Sequence, residues 1–249
     1  MNRAVFLDRD GTINEDIGYP RSISDIRIFP ESFEAIRRLN EAGFYILVVT
    51  NQSAVGRGWL KEKELEWIHE QMKVAFQNQG ARIDAFYYCP HWINSSDPAY
   101  GQPCSCRKPG IALGERAALE FKLDLSQCFM VGDKLEDILF GHRLGMKSIL
   151  VLTGQGQQTR DNLNWLKDKI EMARKNFEGA AGRAGREKEK KVLLERENGL
   201  INFQDLIQRE QAWSKLWLSV EEIEPDKIAS NILEAAHWIL ENIQPAGLL

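Results

Sequence analysis

The stretch Val5-Phe6-Leu7-Asp8-Arg9-Asp10-Gly11-Thr12 decides the fold that the sequence predicts. Residues 4–7 are all apolar, and a run this short without polar alternation favours a parallel strand covered on both faces. Asp8 and Asp10 follow at its carboxyl end, which is the edge at which open α/β sheets bind ligands. On its own, the stretch is also typical of a surface turn, because aspartate and glycine are common in turns.

The two carboxylates indicate a particular chemistry. Carboxylates this close repel each other unless a cation or a shared proton relieves the charge. Mg²⁺ meets that need, since it favours oxygen ligands and accompanies phosphate substrates. One aspartate can then attack phosphorus while the other transfers protons. The stretch therefore points to a Mg²⁺-dependent phosphate site at the end of the first strand.

Composition narrows the class of protein. The chain has 249 residues and a formal net charge of -4, which provides no general attraction to nucleic acid or to an anionic membrane. No apolar run approaches the ~20 residues that span a bilayer. The N-terminus leads directly into the first strand and leaves no room for a secretory signal. We therefore expect a cytoplasmic protein that binds neither nucleic acid nor membrane.

Strand and helix signals alternate along the first part of the chain. This alternation predicts an α/β fold with a doubly wound parallel sheet. The predicted strands after the first are Tyr45–Val49, Ile83–Tyr88, Phe129–Val131 and Ser148–Leu152. The predicted helices are Glu31–Ala42, Lys61–Gln79, Ala112–Phe121 and Leu135–Leu144. The segment Glu15–Pro30 lacks periodicity and is expected to form a loop over the catalytic edge.

Residues 157–222 differ in character from the rest. They carry no strand signal, are crowded with charge, and place apolar residues at helical spacing from Leu163 to Phe177. We predict a helical insertion of hairpin type at 157–222, within a core formed by 1–156 and 223–249. A final helix is expected from Ile228 to Leu240. The insertion either packs on the core or docks a partner or a second copy of the chain.

A second constellation has the spacing of a metal site. Four soft or borderline ligands stand in two close pairs, as tetrahedral Zn²⁺ requires. They are Cys89, His91, Cys104 and Cys106. The loop 89–106 has little apolar content, so a structural zinc would supply its folding energy. The alternative is unpaired thiols beside a surface histidine. Because Arg107 and Lys108 follow directly, ordering this loop is expected to place two cations beside the phosphate.

Four segments in this order resemble the motifs of the haloacid dehalogenase superfamily of phosphatases. They are Asp8–Thr12, Thr50–Ser53, Arg107–Pro109 and Gly132–Asp137. Together with the zinc ligands, they are similar to the heptose bisphosphate phosphatases, whose zinc loop is shared by the related histidinol-phosphate phosphatases. The resemblance covers residues 1 to about 155 and the last helix. It says nothing about residues 157–222.

The resemblance implies a role for each motif residue. Asp8 would be the nucleophile and Asp10 the general acid and base. Asp8, the backbone of Asp10, and Asp133 would hold Mg²⁺, with the carboxylate of Asp137 behind them. The residues expected to contact the sugar phosphate are Asp16, Ile17, Gly18, Tyr19, Thr50, Asn51, Gln52, Ser53, Arg107, Lys108 and Lys134.

The function implied is removal of the 7-phosphate of a heptose 1,7-bisphosphate through an aspartyl-phosphate. Such a reaction belongs to the synthesis of ADP-heptose, of the lipopolysaccharide core or of a related heptose. The substrate would be a small sugar phosphate and the protein a monomer. Arg57 and Arg107 could bind the second, anomeric phosphate, which would favour a bisphosphate over histidinol phosphate; either arginine could equally be a solvated surface charge. Two alternatives stay open: a histidinol-phosphate phosphatase, and a partner-binding role carried by the 157–222 insertion.

Overall fold

The computed structural model describes residues 1–20, 22–167, 192–193, 217–218 and 220–243. The chain divides into two compact units, one formed by 1–157 with 225–249 and the other by 158–224. We call the first the core unit and the second the inserted unit. Within the described residues, no helix combines the length and apolar character that crossing a bilayer requires.

The core unit is built on a six-stranded sheet in the order β3-β2-β1-β4-β5-β8. Every pairing in it is parallel. Its strands are β1 (Ala4–Leu7), β2 (Tyr45–Asn51), β3 (Ala85–Cys89), β4 (Phe129–Gly132), β5 (Lys147–Val151) and β8 (Lys227–Ala229). The order reverses at β1, which lies between β2 and β4, so the crevice of a doubly wound sheet opens at the end of β1. The predicted doubly wound parallel sheet is confirmed.

Helices cover both faces of this sheet. The helices of the core unit are α1 (Pro30–Glu41), α2 (Ser53–Gly56), α3 (Glu62–Gln77), α4 (Ala112–Phe121), α5 (Leu135–Arg143) and α8 (Ile232–Glu241). Two further helices, α6 (156–167), which begins at the boundary, and α7 (Val220–Ile223), belong to the inserted unit. Alternate residues of β1 enter two separate apolar clusters, Val5 and Leu7 on one face and Ala4 and Phe6 on the other. All four are fully buried, as expected for a central parallel strand.

The last strand was not predicted. The periodicity indicated a helix from Ile228, but Lys227–Ala229 pairs in parallel with Ile149–Val151 as strand β8. The helix begins later because Asn231 caps it, accepting hydrogen bonds from the backbone of Leu233 and Glu234 at 3.0 Å each. The predicted helical start at Ile228 is therefore wrong.

Among its described residues, the inserted unit contains a short antiparallel pair, β6 (Val192–Leu193) with β7 (Trp217–Leu218). The expectation of no strand between 157 and 222 is wrong at these residues, where β-branched and aromatic side chains favour extended backbone. Leu163 and Leu166, predicted on an apolar helical face, are buried on α6. The rest of the predicted hairpin, including Ile170, Ala173 and Phe177, lies outside the described residues.

Candidate active site

Neighbouring parallel strands bring the predicted motif residues to one edge of the sheet. Asp8 directly follows β1, Thr50 lies at the end of β2, and Asp133 directly follows β4. Lys108 reaches the same place from the loop between β3 and α4. The backbone nitrogen of Asp8 donates to the carbonyl oxygen of Val131 at 2.9 Å, which extends the ladder between β1 and β4 to the site.

Lys108 is the central cation of this site. Its ammonium lies 2.7 Å from Oδ1 of Asp8, 2.6 Å from Oδ1 of Asp137 and 2.7 Å from the carbonyl oxygen of Val49. These acceptors fix its direction, because an ammonium has three hydrogens to donate. Burial raises the pKa of Asp8, but the charges of Lys108 and Lys134 outweigh burial and lower it below the usual value. Asp8 is therefore held ionised, as a nucleophile requires.

Three carboxylates converge beside this lysine. Oxygen atoms of Asp8, Asp133 and Asp137 all lie within 4.8 Å of one another. Burial together with the neighbouring charges of Asp8 and Asp137 raises the pKa of Asp133 well above its usual value, although Lys134 opposes this. Burial is also the main reason that the pKa of Asp137 rises to about 7. A cluster of hard oxygen ligands with excess negative charge fits a Mg²⁺ ion.

Two glycines leave the space that Asp133 occupies. Gly11 has a φ of +89°. A Cβ there would overlap Oδ2 of Asp133 and lie 2.8 Å from its Cγ, and a Cβ at Gly154 would overlap the same oxygen. Both positions therefore require glycine if Asp133 is to keep its place. Oδ2 of Asp133 accepts a hydrogen bond from the backbone of Gln155 at 2.8 Å.

Asp10 is oriented by three donors. Its Oδ2 accepts from Nη2 of Arg9 at 2.8 Å and from Nε2 of Gln52 at 2.9 Å, and its Oδ1 accepts from Nδ2 of Asn14 at 3.0 Å. Its carboxylate is not one of the three grouped oxygens described above. That Asp10 offers its backbone to Mg²⁺ stays a prediction. The backbone oxygen of Asp10 lies 3.4 Å from Nζ of Lys134.

Two of the residues predicted to contact the sugar phosphate make hydrogen bonds to protein groups. Asn51 accepts from the backbone nitrogen of Lys108 at 3.0 Å and donates to its carbonyl oxygen at 3.2 Å. Gln52 donates from Nε2 both to Asp10 and to Oγ1 of Thr50, the latter at 2.9 Å. Their amides thus position Lys108, Asp10 and Thr50. The side chain of Thr50 is buried, and Ser53 begins α2 beside it.

The predicted loop contacts lie at the outer side of the site. Asp16 approaches Nζ of Lys134 to 3.6 Å, and its Oδ1 accepts from the backbone nitrogen of Gly18 at 3.1 Å. Ile17 and Tyr19 are exposed. Arg107 donates from Nη1 to the carbonyl oxygen of His91 at 3.5 Å. Of these residues, Asp16 is linked to the three-carboxylate cluster through Lys134, which lies 3.6 Å from Oδ1 of Asp133.

The four predicted zinc ligands come together. Sγ of Cys89 lies 3.6 Å from Sγ of Cys104 and 3.5 Å from Nδ1 of His91, and Sγ of Cys106 lies 3.3 Å from that nitrogen. A zinc tetrahedron separates its sulfur and nitrogen ligands by roughly 3.5–3.8 Å. Hydrogen bonds from Cys106 and Cys89 lower the pKa of the Cys104 thiol, whereas hydrogen bonding to Cys104 raises the pKa of Cys89 and Cys106. Three thiols and one imidazole brought this close form the donor set that a tetrahedral Zn²⁺ site uses.

Comparison with known proteins supports a single family. The profile of the HAD-hydrolase-like family matches residues 105–171. D-glycero-beta-D-manno-heptose-1,7-bisphosphate 7-phosphatase of Haemophilus ducreyi is 39% identical over 155 residues, which are 61% of this chain and 85% of that protein. The protein of the same name from Escherichia coli K12 is 40% identical over 156 residues, 61% of this chain and 80% of that one.

The chain belongs to the heptose 1,7-bisphosphate phosphatase family. The crystal structure of a D,D-heptose 1,7-bisphosphate phosphatase from B. bronchiseptica, complexed with magnesium and phosphate, has the same fold. It aligns with a TM-score of 0.64 and 24% identity over 97% of this chain and 99% of that one. The doubly wound sheet is thus a fold that this chain shares with a solved heptose bisphosphate phosphatase.

Some groups at this heptose bisphosphate phosphatase site were missed by the sequence analysis. Arg9 and Asn14 orient Asp10, and the loop after β5 supplies Gln155 to Asp133 and the hydroxyl of Thr153 to the carbonyl oxygen of Gly11 at 2.6 Å. The glycine-containing stretch 153–156 directly follows a predicted strand. Because all strands of a parallel sheet end at one edge, that position was a signal that this loop borders the site.

Proposed function

We propose that this chain is a Mg²⁺-dependent phosphatase that removes the 7-phosphate of D-glycero-D-manno-heptose 1,7-bisphosphate. The observation that carries the proposal is the buried ion pair of Asp8 with Lys108, beside the carboxylates of Asp133 and Asp137. It combines a nucleophile, a phosphate-binding cation and a metal site at the crevice of the sheet. The two relatives named above are heptose 1,7-bisphosphate 7-phosphatases.

The first chemical step uses Asp8 and Asp10. A carboxylate oxygen of Asp8 attacks phosphorus in line, forming an aspartyl-phosphate as the bond between phosphorus and the C7 oxygen breaks. Asp10 donates its proton to the departing alkoxide, which leaves as the C7 alcohol. Arg9, Asn14 and Gln52 hold the Asp10 carboxyl in place for this transfer.

The second step returns the enzyme to its starting state. Asp10 accepts a proton from water, and the resulting hydroxide attacks phosphorus, so that Asp8 leaves as carboxylate and inorganic phosphate is released. Lys108 and Lys134 lie 2.7 and 3.9 Å from oxygens of Asp8 and offset negative charge on the phosphoryl group in both steps. Asp8 and Asp133, with the backbone of Asp10, would hold Mg²⁺, which would supply further positive charge to the phosphoryl group.

Zn²⁺ is proposed to have a structural role. Four protein ligands close its coordination and leave no position for substrate. Cys106 is separated from Lys108 by Arg107 alone, so the fixed zinc loop positions both cations. A Cβ at Gly110 would lie 2.8 Å from the carbonyl oxygen of Arg107, which shows how tightly the chain turns there.

The proposal extends to the biological setting. The relatives are named for the β anomer, which supports the β form of the sugar as substrate and a place in ADP-heptose or lipopolysaccharide-core synthesis. We propose a cytoplasmic monomer that acts on a small sugar phosphate. We also propose that 157–222 is an insertion into a phosphatase core formed by 1–156 and 223–249.

Phosphate release tests the proposed function. Zinc-loaded protein with Mg²⁺ is compared on both anomers of heptose 1,7-bisphosphate and on histidinol phosphate. The expected result is the highest kcat/KM for the β heptose bisphosphate. Preference for histidinol phosphate would contradict the proposed substrate while keeping the catalytic residues. Absence of Mg²⁺-dependent hydrolysis of all three would contradict the phosphatase activity itself.

A further inference from the structure

Arg57 lies in a box of three aromatic rings. Its guanidinium carbon is 4.2 Å from the ring centroid of Trp92, 5.1 Å from that of Trp59 and 5.8 Å from that of Tyr19. Tyr19 and Trp59 contact each other edge to face, with centroids 4.5 Å apart. The rings come from three separate segments: the loop after β1, the segment after α2 and the zinc loop. All three segments therefore meet at one arginine.

The guanidinium itself has no acidic partner. Among the described residues, no ion pair or hydrogen bond engages its nitrogens, and Nε is buried without a hydrogen-bond partner. Aromatic faces attract a guanidinium across its plane and leave its in-plane N–H groups available. Those groups form the fork that binds phosphate through two parallel hydrogen bonds. By contrast, Arg37 and Arg38 on α1 both pair with Glu34.

The box lies at the rim of the catalytic crevice. Arg57 is one turn beyond Ser53, to whose carbonyl oxygen its backbone nitrogen donates at 2.9 Å. Tyr19 follows Asp16, which approaches Lys134 at the carboxylate cluster. Tyr19 is 46% and Trp59 48% exposed, so their outer surfaces are open to a ligand. Arg57 is thus joined through α2 to the predicted phosphate-binding segment Thr50–Ser53, and two of the rings around it are exposed.

The zinc loop holds one side of the box. A Cβ at Gly56 would lie 2.7 Å from the carbonyl oxygen of Pro90 and 2.8 Å from the backbone nitrogen of Trp92, so α2 and the zinc loop are in close contact. The backbone nitrogen of Gly56 donates to that same Pro90 oxygen at 2.9 Å. Trp92 is thereby fixed against Arg57, and its contact limits the directions that the guanidinium can take.

We propose that Arg57 binds the phosphate that is not cleaved, with the rings of Tyr19 and Trp59 covering the adjoining sugar. This inference rests on the proposed function, because a sugar bisphosphate carries a second dianionic group away from Asp8. Arg57 would then be the residue that distinguishes a bisphosphate from a monophosphate. The cation is held in place by aromatic contacts before substrate arrives, and no carboxylate has to be displaced from it.

Kinetics on a matched pair of substrates test the inference. Heptose 1,7-bisphosphate and heptose 7-phosphate share the scissile group and differ in the second phosphate. Arg57→Gln is expected to raise KM for the bisphosphate by roughly 10–100-fold, as for loss of a charge-assisted hydrogen bond. The kcat for the bisphosphate and both constants for the 7-phosphate should stay as in wild type. Arg57→Lys keeps the charge but lacks the planar pair of donors, so its KM for the bisphosphate should lie between those of wild type and Arg57→Gln.

A matched control removes the same charge elsewhere. Arg82 precedes β3, at the edge of the sheet opposite the catalytic site, and Arg82→Gln should leave both substrates unaffected. Equal losses on both substrates for Arg57→Gln would overturn the inference, as would no loss on either. If wild type prefers the bisphosphate and Arg57→Gln keeps that preference, the inference fails and the proposed function stands. A wild type without bisphosphate preference overturns both.

Discussion

The ammonium of Lys108 lies 2.7 Å from Oδ1 of Asp8, and both side chains are almost completely buried. The same ammonium also reaches Asp137 on α5, so one cation joins the proposed nucleophile to a carboxylate of the next motif. Asn51 fixes the backbone of Lys108 from β2 through both of its amide atoms. The side chains of the site therefore fix one another's positions through ion pairs and hydrogen bonds. Loss of Lys108 should accordingly disturb several of them at once.

Asp8→Asn should abolish turnover and leave the fold intact. The amide is nearly the same size as the carboxylate and can still face Lys108, but it cannot attack phosphorus. Steady-state phosphate release and circular dichroism measure the two properties. Mass spectrometry must exclude deamidation back to aspartate. Sustained turnover by a variant free of deamidation would refute the role of Asp8.

Lys108→Met should destabilise the protein as well as inactivate it. Removing one partner of a buried ion pair leaves uncompensated charge, which typically costs about 3–5 kcal/mol in the free energy of unfolding. Urea denaturation without Mg²⁺ measures this free energy. Lys134→Met is the comparison and should cost less, because the side chain of Lys134 is 21% exposed and its ion pairs are longer, at 3.6–3.9 Å. Lys108→Met with the stability of wild type would contradict the central position given to this ion pair.

Gly11→Ala should displace the side chain of Asp133 and thereby weaken the binding of Mg²⁺. Gly43→Ala is a matched control, since Gly43 also has a positive φ, +83°, but a Cβ there meets nothing within 4 Å. Both variants carry backbone strain, so both should lose stability. Titration with Mg²⁺ should show weakened affinity and activity in Gly11→Ala alone. Equal Mg²⁺ affinity in the two variants would show that the space around Asp133 is not limiting.

Removal of zinc should lower both stability and activity. Cys104→Ser breaks the ligand set, so the loop that carries Arg107 and Lys108 should lose its fixed position. Metal analysis, thermal unfolding and phosphate release follow the three consequences. Cys128→Ala is the control, because Cys128 is buried but is not part of the four-residue cluster. The Cys128→Ala protein should retain its zinc. Full activity in zinc-free protein would contradict this role.

His69 should make stability depend on pH in a defined window. Burial, followed by the charges of Arg9 and Lys73, lowers the pKa of His69 well below its usual 6.5. The unfolded chain takes up a proton near pH 6.5 and the folded one does not, so the free energy of unfolding falls as pH drops below 6.5. The slope is at most about 1.4 kcal/mol per pH unit.

Urea denaturation at several pH values measures this effect. The ring of His69 stacks on Phe86 with centroids 4.3 Å apart, and His69→Leu keeps an apolar contact without a titrating group. The difference in stability between wild type and His69→Leu should shift in favour of the variant below pH 6.5. A difference independent of pH would contradict a depressed pKa for His69.

The sheet and the chemistry of its edge were predictable because they depend on local patterns. Apolar runs such as 4–7 read as buried strands, and the residue after each run must lie at the ligand-binding edge. The two close pairs of zinc ligands were recognisable for the same reason, since each pair needs only one turn of chain to reach the ion.

Other features depend on contacts that sequence spacing does not encode. The amides of Asn51 and Gln52 suit substrate as well as protein acceptors, and only the folded site shows that they face Lys108 and Asp10. Strand β8 is three residues long, and its β-structure depends on pairing with β5. Ile228 fits a helical face equally well, so periodicity alone assigned it to the helix.

The most direct test of the account is the identity of the product. ³¹P NMR of heptose 1,7-bisphosphate incubated with the Mg²⁺- and zinc-loaded enzyme follows the two phosphates separately. The account predicts that the C7 phosphate signal is replaced by inorganic phosphate while the anomeric phosphate persists, and that Asp8→Asn leaves both signals unchanged. Loss of the anomeric phosphate first, or no change with the wild-type enzyme, would contradict it.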